Sequence, residues 1–83
     1  MTVVNSLGMH ARAAARFVRL AGDFQSRILV TRGHRTIDGK SILGLLLLAA
    51  ARGTVLDISA EGVDETEALA ALCALTESGF EET

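Results

Sequence analysis

The 83-residue chain has no proline, no tryptophan and no tyrosine, and it has only one cysteine and three phenylalanines. With Cys73 alone, no internal disulfide can form, and a reducing cytoplasm is the expected setting. Its helical neighbours Leu69 and Leu72 mark it as a small core or near-core residue more than as a reactive thiol. Two histidines and one cysteine at no paired ligand spacing make no zinc site, so neither a metal nor a cofactor is expected. Three phenylalanines offer little for base stacking, and with a sequence pI of about 5.5 they argue against nucleic acid. The longest apolar run, Ile42 to Ala51, is about half of the roughly 20 residues that a spanning helix needs. No charged leader with an apolar segment stands ahead of strand-like Thr2-Val3-Val4, so no secretory signal is expected. No linker, repeat or low-complexity segment interrupts the chain.

What remains is 49% hydrophobic, enough for one small domain over residues 1–83 with a thin core. The net charge of −2 hides a division: residues 1 to 42 carry seven Lys or Arg against two Asp or Glu, and the rest carry one against eight. A basic front of this kind recruits an acidic partner.

The front is organised around Gly8 to Arg19. Ala14, Phe17, Val18 and Ala21 recur at helical spacing, with Arg12, Arg16 and Arg19 on another face and Gly22 as the expected left-handed stop. His10 then falls at the N-cap, where unpaired backbone N–H groups and the helix dipole attract anions. A neutral imidazole there is a nucleophile that, once phosphorylated, would hold a dianion beside the amides of Ala11 and Arg12 and within reach of the Arg12 guanidinium. The plainer reading of a surface histidine or modest cap stays open on these residues alone.

Thr2 to Asn5 reads as a first strand, with Asn5 closing a turn through its side chain into the loop Ser6 to Gly8. Ser26 to Arg32 is a strand with Ile28 and Val30 buried. Gly33-His34 makes a tight turn into Arg35 to Ile37, which leaves His34 on the surface. Ser41 is the N-cap of a helix from Ile42 to Ala49 or Ala51, apolar most of the way round and therefore either sandwiched or partly a docking surface. Thr54 to Glu61 is a strand with Leu56, Ile58 and Ala60 inward. Asp64 and Glu67 form a capping-box-like start to a helix striped by Leu69, Leu72 and Leu75 or Thr76, with Gly79 at C′, Phe80 folded back and Glu81-Glu82 solvated. The expected class is α+β: a two-layer open-faced sandwich in the order β-α-β-β-α-β-α, with a four-stranded antiparallel sheet and three helices on one face.

Asn5-Ser-Leu-Gly-Met-His-Ala-Arg, Phe17-Val18, Asp38-Gly-Lys-Ser-Ile-Leu-Gly-Leu, Ala50-Ala-Arg-Gly-Thr54 and Ala60-Glu-Gly62 together resemble the HPr family. These are the histidine-containing phosphocarriers of the phosphoenolpyruvate-dependent phosphotransferase system, and the likeness runs from about Thr2 to Phe80. It implies that His10 accepts a phosphoryl group on Nδ1 from Enzyme I, that Arg12 steadies it, and that Enzyme IIA-type proteins receive it. It also implies a docking surface including Ala11, Arg19, Ile42, Leu43 and Leu46. Ser41 matches the family's regulatory serine, phosphorylated in some bacteria by HPr kinase/phosphorylase. Ala13 stands where the family usually has proline, and the first strand is a few residues shorter than usual. A monomer suits a transient carrier. The sequence does not separate a sugar-transport from a regulatory nitrogen-type branch. The readings from another class are an anion-binding regulatory module without covalent transfer and a protein-binding adaptor.

Overall fold

The computed structural model describes residues 1–81, so Glu82 of the expected acidic tail lies outside the described residues. Its elements are α1 (Ala11–Ala21), β1 (Arg27–Arg32), β2 (Arg35–Asp38), α2 (Ile42–Leu47), β3 (Asp57–Glu61) and α3 (Glu65–Glu77). The sheet is antiparallel in the order β2-β1-β3, with Val30 opposite Ile37 on one side and Ile58 on the other. Those three residues share the face that the helices cover, α2 against β2, α3 against β3, and α1 packed on both helices. Phe17, Ile28, Val30, Leu45, Leu56, Leu72 and Phe80 are fully buried between the layers.

The expected first strand is corrected. Thr2 makes only an isolated antiparallel bridge to Val55, so the described sheet has three strands and not four. The Val3 N–H donates to the Thr54 carbonyl at 2.9 Å, the Gly53 N–H to Val3 at 2.7 Å, and the Leu56 N–H to Met1 at 2.8 Å. Pairing goes no further because the chain turns directly after Val4: the Asn5 side-chain amide donates to the Gly8 carbonyl at 2.7 Å. Val3 is nonetheless fully buried, which anchors the segment by its side chain.

Helix ends also differ from expectation. Gly22 is the C-cap residue of α1 with φ −66°, in the right-handed region, so it is not a left-handed stop. α2 ends at Leu47, short of Ala49, because the guanidiniums of Arg32 and Arg35 take the carbonyls of residues 47 to 49 and Ala49 turns to φ 51°. The stripe of α3 runs through Ala68, Leu72 and Thr76, leaving Leu69 and Leu75 half-buried. Its C-terminus closes as expected: the Gly79 N–H donates to Thr76 at 3.0 Å and the Phe80 N–H to Leu75 at 2.9 Å, the two bonds of a Schellman motif.

Asp64 does not form a capping box, for its carboxylate makes no cap to its own helix. It accepts instead from the Gln25 N–H at 2.8 Å and the Ser26 N–H at 2.9 Å, and from the Ser26 hydroxyl, tying the start of α3 to the entry of β1. The Ser26 hydroxyl, then the Gln25 amide, hold its pKa below the ordinary value of 3.8. A depressed folded pKa contributes stability above the unfolded value that is lost as the pH falls through the folded one. Asp64→Asn is therefore less stable than the parent at neutral pH, and urea denaturation in acid should show the gap closing. A gap independent of pH would show that the charge does not matter.

Candidate functional site

The loop from Asn5 to Gly8 delivers His10 to the head of α1. The Gly8 N–H donates to the Asn5 carbonyl at 3.1 Å, and the Met9 N–H to the Ala50 carbonyl at 2.8 Å, which pins the loop to the chain following α2. Gly8 has φ 68°, and a Cβ there would stand 2.6 Å from the Ala50 oxygen and 3.0 Å from Ala51 Cα. Only glycine lets the two backbones come this close.

His10 is the N-cap of α1 as expected, extended at φ −83° and ψ −179°, and half-exposed. Its Nδ1 accepts the Arg12 backbone N–H at 3.3 Å. That bond orients the Nδ1 lone pair toward the helix head and, in the neutral ring, places the proton on Nε2. The His10 carbonyl accepts the Ala14 N–H at 2.8 Å and so begins the helix ladder. Ala11 and Arg12 are exposed, and their amides lie in the first turn where the helix dipole favours negative charge. The arrangement combines a lone pair with first-turn amides beside it.

The three arginines of α1 part ways. Arg12 and Arg19 are exposed, whereas the Arg16 guanidinium donates to the Phe80 carbonyl and joins α1 to the turn after α3. Nothing in the helical spacing distinguished Arg16 from the other two. Ala13, in the position where the family usually has proline, is fully buried in the core.

α2 answers the question its composition raised. Leu45 is fully buried and Leu48 nearly so, while Ile42, Leu43, Leu46 and Leu47 are 43%, 68%, 36% and 57% exposed. The helix is thus half core and half open apolar surface, and that surface includes Leu47 besides the expected Ile42, Leu43 and Leu46. Leu7, in the loop before His10, is also exposed, a residue that sequence reasoning passed over. Its position beside the glycine turn was the available signal. Ser41 is the N-cap of α2, its Oγ accepting the Gly44 N–H at 3.0 Å. His34 lies exposed in the hairpin turn.

Fold and site define a small α+β protein with a half-exposed imidazole capping the first helix. The family model described as the PTS HPr component phosphorylation site matches residues 1–78. The chain is 45% identical over 80 residues to phosphocarrier protein HPr of Neisseria meningitidis, covering 96% of this chain and 90% of that protein. It is 38% identical over 82 residues to phosphocarrier protein NPr of Shewanella violacea, covering 99% and 90%. HPr-C-His of Thermoanaerobacter tengcongensis superposes with a TM-score of 0.95 at 43% identity, covering 100% of this chain and 93% of that one. An HPr dimer from the same organism gives 0.83 at 44% identity, covering 99% and 94%. The chain belongs to the HPr family of phosphocarriers of the phosphotransferase system.

Proposed function

We propose that His10 is the phosphoryl acceptor, taking the group on Nδ1 from phospho-Enzyme I and passing it to Enzyme IIA-type proteins. The observation that carries this reading is the Nδ1 lone pair held at the head of α1 by the Arg12 amide. No proton has to leave Nδ1 before attack. The lone pair forms the new N–P bond as the donor's N–P bond breaks, and the donor nitrogen regains its lone pair. The bond from the Arg12 N–H is long, so it yields as phosphorus approaches, and the same N–H then donates to a phosphoryl oxygen. The Arg12 guanidinium, exposed and unconstrained in its burial, closes on the dianion from outside. An open site of this kind holds the phosphoryl group without enclosing it, as a relay to a second acceptor requires.

The described residues act here as one phosphocarrier domain, and one copy suffices because His10, Ala11 and Arg12 come from one helix head. Neither Enzyme I nor the acceptor needs a membrane segment on this chain, and no helix among the described residues is long and apolar enough to cross one. A cytoplasmic setting fits the single cysteine. Incubation with phosphoenolpyruvate, magnesium and Enzyme I should add one acid-labile phosphoryl group per chain, mapped by mass spectrometry to a peptide containing His10. Unmodified protein, with active Enzyme I, would overturn the reading in favour of a non-covalent anion-binding or adaptor module.

The exposed side of α2, with Ala11 and Arg19 on α1, is the surface on which the partners dock. Leu46→Glu puts a charge into the apolar surface without touching buried Leu45, and transfer from Enzyme I should slow about tenfold with little loss of stability. Unchanged transfer kinetics would remove the assignment.

Ser41 is the regulatory site in this reading, a target of an HPr kinase/phosphorylase. A phosphate there sits at the positive end of α2 but adds about −2 charge at the head of a helix whose Ile42 and Leu43 are exposed. Ser41→Ala should lose about 1 kcal/mol of stability with the cap and all labelling by such a kinase. Equal labelling of variant and parent would move the modification elsewhere.

A further inference from the structure

Away from His10, the β1–β2 hairpin sets two arginines side by side. Arg32 and Arg35 are direct cross-strand partners flanking the turn, so two like charges stand opposite one another. Arg32 follows Ile28 and Val30 at every second residue, which puts both arginines on the side of the sheet that α2 covers. Arg32 Nη1 donates to the carbonyls of Leu48 at 2.6 Å and Ala49 at 2.8 Å, and Arg35 Nη1 donates to the carbonyl of Leu47 at 2.8 Å. Each guanidinium is thereby held by its Nη1, leaving the edge formed by Nε–H and Nη2–H. That edge is a fork matched to two oxygens of an oxyanion.

Between them opens a cavity of about 370 Å³ lined by Arg32, Gly33, Arg35, Leu47, Leu48 and Ala49. No carboxylate lies in that lining, and among the described residues neither guanidinium has an acidic partner. Ala49, on the cavity wall, is held at φ 51°, a strained conformation for alanine, with its carbonyl turned to Arg32. Two cations fixed by carbonyls, no carboxylate to neutralise them and a strained wall occur together at one place.

We propose that this cavity binds the dianionic phosphate monoester of a small organic molecule. Two guanidinium forks meet two negative charges on a tetrahedral group, whereas a carboxylate would fill one fork and leave the other unmatched. Leu47 and Ala49 provide an apolar wall for the carbon skeleton. The carbonyls of residues 47 to 49, at and just after the end of α2, hold both side chains in position before ligand arrives, so little ordering remains to oppose binding. The lining contains no nucleophile, so the site binds without covalent chemistry, and it stands independently of phosphoryl transfer at His10.

Titration of the ¹⁵N-labelled protein at constant ionic strength with inorganic phosphate, glycerol 3-phosphate and glycerol tests the site. Both phosphates should give saturable amide shifts at Gly33, His34 and Ala49, and glycerol none. Equal affinity for the two phosphates would assign recognition to the phosphoryl group alone, and tighter ester binding would include the apolar wall; either supports the site. Arg32→Gln and Arg35→Gln should each weaken binding roughly tenfold or more. Shifts confined to Ala11 and Arg12, shifts with glycerol equal to those with phosphate, or unchanged affinity in the glutamine variants would overturn it. If a glutamine variant loses the folded spectrum, Arg32→Lys with Arg35→Lys decides, since lysine keeps the charge and lacks the fork: affinity equal to the parent overturns the site, and weaker affinity supports it.

Discussion

Replacing His10 by alanine should abolish phosphoryl acceptance while the fold stays in place. The imidazole supplies the only nucleophilic lone pair at the head of α1, and the neighbouring groups there are amides and an arginine, which bind oxyanions but do not attack phosphorus. The transfer rate should drop by at least about 10⁴-fold, to the level of the uncatalysed background. Stability should fall by only about 1 kcal/mol, the worth of one N-cap hydrogen bond. Circular dichroism reports the fold and acid-labile ³²P the chemistry. Retained labelling in His10→Ala would assign the phosphoryl group to another residue, with His34 in the hairpin turn as the other histidine to examine.

Gly8→Ala should have the largest effect on stability. At φ 68° a side chain costs about 1–2 kcal/mol, and the Cβ would also press on the Ala50 carbonyl from 2.6 Å. Backbone atoms cannot rotate away as a side chain does, so overpacking adds a further ~1–2 kcal/mol. The sum, about 3 kcal/mol, corresponds to a fall in Tm of roughly 12–24 °C for a domain of this size. The strain should also loosen the Met9 bond to Ala50 beside His10, and phosphoryl transfer should slow in the protein that remains folded. A stability change below about 1 kcal/mol would show that the loop shifts freely and that Gly8 does not position the histidine.

The two effects separate the chemistry from its support. His10→Ala removes the nucleophile with the scaffold intact, whereas Gly8→Ala leaves the nucleophile and disturbs the scaffold. Measured together, they show whether the relay depends on the imidazole alone or also on where the loop holds it.

Much of this was legible along the chain because it depends on neighbours a few residues apart. His10 as the cap of α1, Ser41 as the cap of α2, the inward faces of β1 and β3 and the turn at Asn5 follow from local spacing and side-chain reach. The same local rules misjudged whatever a distant residue decides. α2 ends early because arginines 12 to 16 positions upstream take its last carbonyls, and Asp64 leaves its own helix for amides 38 and 39 positions away. Arg16 and Arg19 look alike on the helix, yet only the first meets the Phe80 carbonyl. The first segment reads as a strand by composition, but how far it pairs depends on where the turn at Asn5 meets the loop after α2. The amino-acid sequence by itself determined the class of fold and the placement of a histidine at a helix head, since propensity, capping and periodicity are short-range. Tertiary structure alone decided which leucines of α2 stay exposed, which arginines are held and where two guanidiniums without a carboxylate partner line one cavity, because burial and charge compensation depend on groups that only folding brings together.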